Sequence, residues 1–308
     1  MNLPDIKLKQ DVPTRWNSTL DMIKRFIQLK DAIVSTVAVI QTERGEQNTG
    51  NLLSHSFLAN DWNLLNELIK VFTIFDEITV EMSSEKHITL SKILVFVKII
   101  MSKLNSLAEA DLLPEIKNVI SRLINDCKGR FANYKSNDLL AQSTILDPRF
   151  KKLGFQDIRK YENALQVLKT KVSQLFPKES NSGQNLQKET TDTDDNESDV
   201  WDEFEKEARL LCASGEPVAR GIIEVDKYIA EMLVRRKDDP IKFWIDRKNI
   251  YPGLYEMMKR RLCIPGTSVP CERIFSKAGA LITLKRNRLT GSKVGKIMFL
   301  KCNAKYIK

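Results

Sequence analysis

Residues 60–82 read NDWNLLNELIKVFTIFDEITVEM, and this stretch decides the fold class. Leu65, Leu68, Phe72, Phe75 and Ile78 recur at threes and fours, the period of an amphipathic helix with one face buried. Upstream, residues 17–40 repeat the pattern through Met22, Ile23, Phe26, Leu29, Ile33 and Val37. There Ser18, with Asp21 three residues on, predicts a capping-box start. Downstream, residues 89–107, 113–134 and 156–176 repeat it again, with Pro114 suited to a first helical turn. Short connections join these runs, so the expected fold is mainly α, a helical bundle. Strand patterning is confined to IKLKQDV at residues 6–12.

Further on, residues 177–199 are polar, acidic and nearly without apolar side chains, which predicts a disordered linker. Helical spacing resumes at 200–211 and 222–233, runs through 238–282, and ends in a last helix over 292–307. Trp244 and Tyr251 fall where core anchors belong.

Charge is distributed unevenly. The 308 residues carry a formal +9, yet residues 235–308 hold 19 Lys and Arg against 5 Asp and Glu, a net of +14. Residues 178–207 hold 3 against 11, a net of −8. A basic C-terminal part beside an acidic break points to a polyanionic partner and a solvated spacer. The five cysteines are scattered, with no C-x-x-C pair, and His55 and His87 lie far from them. That pattern lacks the ligand spacing of a structural zinc site and fits reduced thiols. No apolar run is long enough to span a bilayer, so no membrane partner is expected.

Four segments share an order and spacing: DVPTRWNSTLDMI (11–23), ILDPRFK (145–151), the run from DDPIKFW to PCERIFSKAG (238–279), and KRNRLT through FLKCN (285–303). Together they resemble the hAT-family DNA transposases, above all domesticated members that carry a BED zinc finger. The resemblance implies an RNase H-like catalytic domain interrupted by a large helical insertion and closed by a C-terminal dimerisation region. On that scheme residues 1–176 hold the insertion with a short RNase H-like remnant. Residues 177–199 are the linker, and 200–308 the dimerisation region that completes the RNase H-like fold. The family's BED finger and first two catalytic aspartates would lie before residue 1. The resemblance further implies a nuclear protein that dimerises and contacts DNA.

Glu272 matches the family's third carboxylate, in the pattern E-R-x-F-S. Three such carboxylates hold divalent ions such as Mg²⁺ in an intact member; Glu272 alone is a vestige, so this chain is expected to use no cofactor and not to be an enzyme. Read without the family, Pro270 opens a helix and Glu272 offsets its N-terminus. Ile274, Phe275 and Ala278 would then bury the opposite side, and Gly279 would end the helix. Gly266 stands where the family has alanine, and Cys271 where it has serine; Cys271 is expected to be a buried structural thiol. Asp147 reads as a turn or cap residue before Pro148.

Arg15 and Trp16, in TRW, match the family's DNA-end contact, where Trp16 would stack a base and Arg15 meet phosphate. The alternative is a Trp16 packed into the protein. Lys285, Arg286 and Arg288 form a compact basic loop, open to phosphate contact or plain solvation. In the last helix Val294, Ile297, Leu300, Ala304 and Ile307 form one apolar stripe, widened by Met298, Phe299, Cys302 and Tyr306. A helix apolar on more than one side needs more than one neighbour, so Val294, Ile297, Phe299 and Leu300 are the candidate dimerisation residues. Two other readings stand: a C-terminal piece of an active cut-and-paste transposase, and a non-enzymatic helical scaffold.

Overall fold

The computed structural model describes residues 6–13, 15–44, 57–84, 87–176, 217–282 and 289–306. The predicted linker at 177–199 and the predicted helix at 200–211 lie outside them. Among the described residues all regular secondary structure is helical, and the alternating 6–12 segment forms no strand. The chain divides into two compact units, residues 1–134 with 266–308, and residues 135–265.

The first unit holds α1 (Trp16–Gln28), α2 (Lys30–Arg44), α3 (Ala59–Met82), α4 (Lys92–Glu109) and α5 (Pro114–Arg130). The single helix expected over 17–40 is two, interrupted at Leu29. Its start differs as well. The helix begins at Trp16, and Ser18 turns back to donate to Asp11 at 2.6 Å, while Asp21 pairs with Lys9 at 2.9 Å. Asp11 also accepts the Thr19 hydroxyl, and these two bonds hold its carboxyl below the usual range. Local sequence suggested a capping box; instead the Ser18 hydroxyl bonds a carboxylate seven positions back and the Ser18 amide donates to the Arg15 carbonyl.

In α3 the carboxylate of Asp61 accepts the Leu58 amide at 2.8 Å, which closes the first turn. The helix then buries Trp62, Val71 and Ile74. Val71 and Ile74 meet Ile100 and Leu104 from α4 and Ile116, Ile120 and Cys127 from α5 in one core. Burial raises the Cys127 thiol, with Asp126 adding to it. Pro114 sits in the first turn of α5 as expected, and Glu67 of α3 accepts the Leu113 amide ahead of it at 2.8 Å. Residues 266 and 267 belong to the same unit: the Gly266 amide donates to Thr89 Oγ1 at 2.8 Å. A Cβ at 266 would stand 2.9 Å from Met82 Cε and 3.0 Å from the Thr89 carbonyl, so the departure from alanine has a steric reason.

The second unit holds α6 (Asp138–Leu146), α7 (Ile158–Ser173), α8 (Pro217–Ala230), α9 (Pro240–Asp246) and α10 (Pro252–Leu262). Helix α6 is buried from Leu140 through Leu146, so it forms the centre of the unit. Asn137 caps it, accepting the Leu139 and Leu140 amides. Helix α7 buries Tyr161, Ala164, Leu168 and Val172 at helical spacing. It meets α8 at Gly221, where a Cβ would lie 2.6 Å from Ser173 Cα. Only a residue without a side chain allows that approach.

Trp244 and Tyr251 are fully buried, as their sequence position predicts, and pack with Tyr228 and Phe243. Each polar tip finds a partner: Trp244 Nε1 donates to the Leu146 carbonyl at 2.9 Å, Tyr228 to the Ile145 carbonyl at 2.9 Å, and Tyr251 to Glu231 at 2.6 Å. The buried polar atoms are thereby satisfied, which keeps their desolvation from costing the unit its stability.

Candidate functional site

The candidate site begins where the chain leaves Gly266. Helix α11 (Val269–Leu281) carries a proline in its first turn, with Glu272 beside it. Both features agree with the sequence reading. The Glu272 carboxylate is exposed and accepts the Ser268 hydroxyl at 2.5 Å. Among the described residues no three His, Cys, Asp or Glu side chains form a group that could hold a metal ion. Glu272 supplies a single carboxylate of the family pattern, and no metal step is derived from it.

Two expectations about α11 are corrected. Its apolar residues are not buried: Ile274 is 42% and Phe275 75% exposed, and no residue of the helix is buried. Cys271 is exposed as well, because its side of the helix has no covering element among the described residues. Gly279 does not end the helix, which continues to Leu281, since a helical glycine is tolerated where its neighbours stay helical.

Helix α12 (Gly291–Asn303) packs against α11 in a hairpin. Thr290 caps it, its hydroxyl accepting the Lys293 amide at 3.4 Å. The predicted apolar stripe divides here. Val294 and Met298, one turn apart, are buried. Ile297, Phe299 and Leu300 remain exposed, Phe299 to 66%. Of the four candidate dimerisation residues, Val294 thus serves the chain's own packing and the other three face outward. Ile307 lies outside the described residues.

The candidate DNA contacts are scattered over what is described. Arg15 precedes α1 and is exposed; its carbonyl accepts the Ser18 hydroxyl at 2.6 Å. Trp16 opens α1, but its side chain lies outside the described residues, as do Lys285, Arg286 and Arg288. Next to Trp16, Asn17 donates to Asp76 of α3 at 2.7 Å, which ties the start of α1 to the bundle.

The ILDPRFK segment turns out to be a structural centre of the second unit. Asp147 follows α6 as its cap, wholly buried, and takes a two-pronged bond from Arg149 at 2.7 and 2.8 Å. The expectation of a turn or cap residue holds. Lys151 was not singled out by sequence, yet its ammonium donates to the Tyr228 and Glu231 carbonyls at 2.6 and 2.7 Å. It thereby closes the C-terminal end of α8, where a cation is favoured. Burial draws the Lys151 amine down to about 8, with Glu231 pulling it back up and Arg247 pushing it further down. Glu224 is the other unforeseen group. It accepts the Leu254 and Gly253 amides at the head of α10, and burial raises its carboxyl against those bonds. The apolar spacing of α8 gave no sign that one of its carboxylates faces inward to cap another helix.

Residues 224–304 match the hAT family C-terminal dimerisation region. Two curated proteins align along nearly all of the chain. One, the Homo sapiens zinc finger BED domain-containing protein 4, is 26% identical over 307 residues, 98% of this chain and 24% of that protein. The other, a Zea mays protein named as an AC transposase, is 26% identical over 302 residues, 93% of this chain and 35% of that protein. The chain thus spans between a quarter and just over a third of the length of these relatives.

Proposed function

We infer that this chain, a hAT-type transposase-derived protein, self-associates through its 200–308 region and contacts DNA, without catalysing strand transfer by itself. The observation that carries the reading is the pairing of a matched dimerisation region with apolar side chains left exposed on its last helix, Ile297 and Leu300 on one side and Phe299 on another. An exposed cluster of this kind on a helix already packed on its other side is an interaction surface. DNA contact is supported by the +14 charge of residues 235–308 and by the transposase relative. It would be a phosphate contact, weak in sequence preference and strongly salt-dependent.

In this reading Glu272 descends from the third carboxylate of an RNase H-like centre. A nuclear location follows from the same ancestry. A second reading, a piece of an active transposase, is favoured by the alignment with the AC transposase, which continues far beyond the region matched here.

The decisive measurement is the molar mass of the full chain by light scattering over a concentration series. A dimer or higher species is expected; a monomer at every concentration would sink the self-association reading. Incubation with Mg²⁺ or Mn²⁺ and duplexes ending in family-type terminal repeats tests the catalytic part. No cleavage is expected, and cleavage abolished by Glu272→Gln would establish the second reading.

A further inference from the structure

The outer side of α12 bears an open groove of about 570 Å³, lined by Ser292, Gly295, Lys296, Phe299 and Leu300. Gly295 forms its low point: a Cβ there would meet nothing within 4 Å. Phe299 rises beside it into solvent. Ser292, Gly295, Phe299 and Cys302 are spaced three, four and three apart, so they share one stripe of the helix. That is the spacing of alternating seam positions in a coiled coil. The stripe lies roughly a quarter turn from the buried pair Val294 and Met298. It is therefore separate from the contact that holds α12 in its own hairpin.

Along this stripe Phe299 is the one large residue, and Gly295, one turn before it, is the smallest. A parallel partner would set Phe299 against Phe299 and Gly295 against Gly295, a collision beside a void. An antiparallel partner sets Phe299 against Gly295 and leaves the small pair Ser292 and Cys302 facing each other, since both pairs are centred on position 297. We propose that the occupant of the groove is α12 of a second copy, packed antiparallel about a two-fold axis level with residue 297, with Phe299 of each copy seated over Gly295 of the other. A two-fold interface uses the same patch twice, and this patch complements itself. The whole stripe falls within the region matched as a dimerisation region. The proposal rests on the self-association reading and names its contact.

Charge supplies a second signature. Lys293, Lys296 and Lys301 lie on α12, which has no acidic residue. Two such helices repel, and salt screens the repulsion over a distance of about 8–10 Å. The dimer is expected to tighten as salt is raised, whereas an acidic protein partner or DNA would be released.

The test measures the dimer dissociation constant of the full chain by sedimentation, with thermal unfolding as the check on folding. Gly295→Leu fills the seat from a position where an added Cβ meets nothing within 4 Å, and leucine is the better helix former, so the melting temperature should not fall. The dissociation constant should rise about tenfold or more. Phe299→Ala should weaken association without unfolding the chain. A wild-type dimer whose constant is unmoved by both variants would overturn the seam and leave self-association standing. So would a dimer that loosens with added salt. A wild type monomeric at every concentration would remove self-association and the seam together.

Discussion

The core of residues 135–265 and the α11–α12 hairpin draw on similar side chains and treat them oppositely. In the core, Tyr228, Trp244 and Tyr251 are fully buried and each polar tip is bonded. In the hairpin, Phe275 and Phe299 stand 75% and 66% exposed, and only Val294 and Met298 are covered. The matched dimerisation region runs through both. One part of it is finished within the chain, and the other presents apolar surface still to be covered. The contrast separates the residues that keep the fold from those available to a partner.

The comparison breaks most sharply at Trp244. Trp244→Ala empties the centre of the aromatic cluster and should cost about 3–5 kcal/mol in urea unfolding. A loss below 1 kcal/mol on the order expected for a surface site would mean the cluster does not anchor the unit. A smaller cut tests the polar tips. Tyr228→Phe leaves the Ile145 carbonyl without its donor in a buried place and should cost about 1–3 kcal/mol.

Lys151 sharpens the contrast through pH. Its folded value of about 8 lies below the ordinary lysine value of 10.5, so between those limits the unfolded chain binds more protons. Stability therefore rises as pH goes from about 8 towards 10.5, by up to about 3 kcal/mol from this group. The tyrosines act the other way higher up. Burial raises Tyr161, Tyr228 and Tyr251, so their contribution is lost as pH climbs past the usual tyrosine value. Subtracting the pH profile of Lys151→Met from that of the wild type isolates the lysine. A flat difference between pH 8 and 10 would show that its amine is not held low.

The least effect is expected in the hairpin. Phe275→Asp replaces an aromatic ring with a charge, a change the core would not survive, yet at 75% exposure it should alter folding stability by no more than about 0.5 kcal/mol. Any larger loss, read as a fallen melting temperature in dilute monomer, would mean that α11 is covered within the chain after all.

Much of the architecture was legible from spacing. The periodic runs around residues 60–82, 89–107, 113–134 and 156–176 each became a helix, Pro114 opened its helix, and Trp244 and Tyr251 were buried. The Ser18 start was misread because the helix begins two residues earlier, at Trp16, and the Ser18 hydroxyl is drawn to Asp11, outside the helix. Residues 273–278 were misread for a related reason: periodicity shows that a helix has an apolar face, not that something covers it. Of the candidate site, Glu272 was correctly placed in a first turn. The division of the α12 stripe into a covered pair and an exposed remainder was not legible, since both parts satisfy the same spacing.

By itself, then, the sequence determined that the chain is helical, where most of its helices lie and that Pro114 opens one of them, because these depend on neighbours within a turn or two along the chain. The tertiary structure alone decided that Gly266 lies tight against Met82 and Thr89, that Lys151 and Glu224 cap helices distant in sequence, and that Phe275 and Phe299 remain in solvent. Those outcomes depend on which surfaces meet, and a side chain's neighbours across a fold are set by packing between segments that local periodicity does not relate.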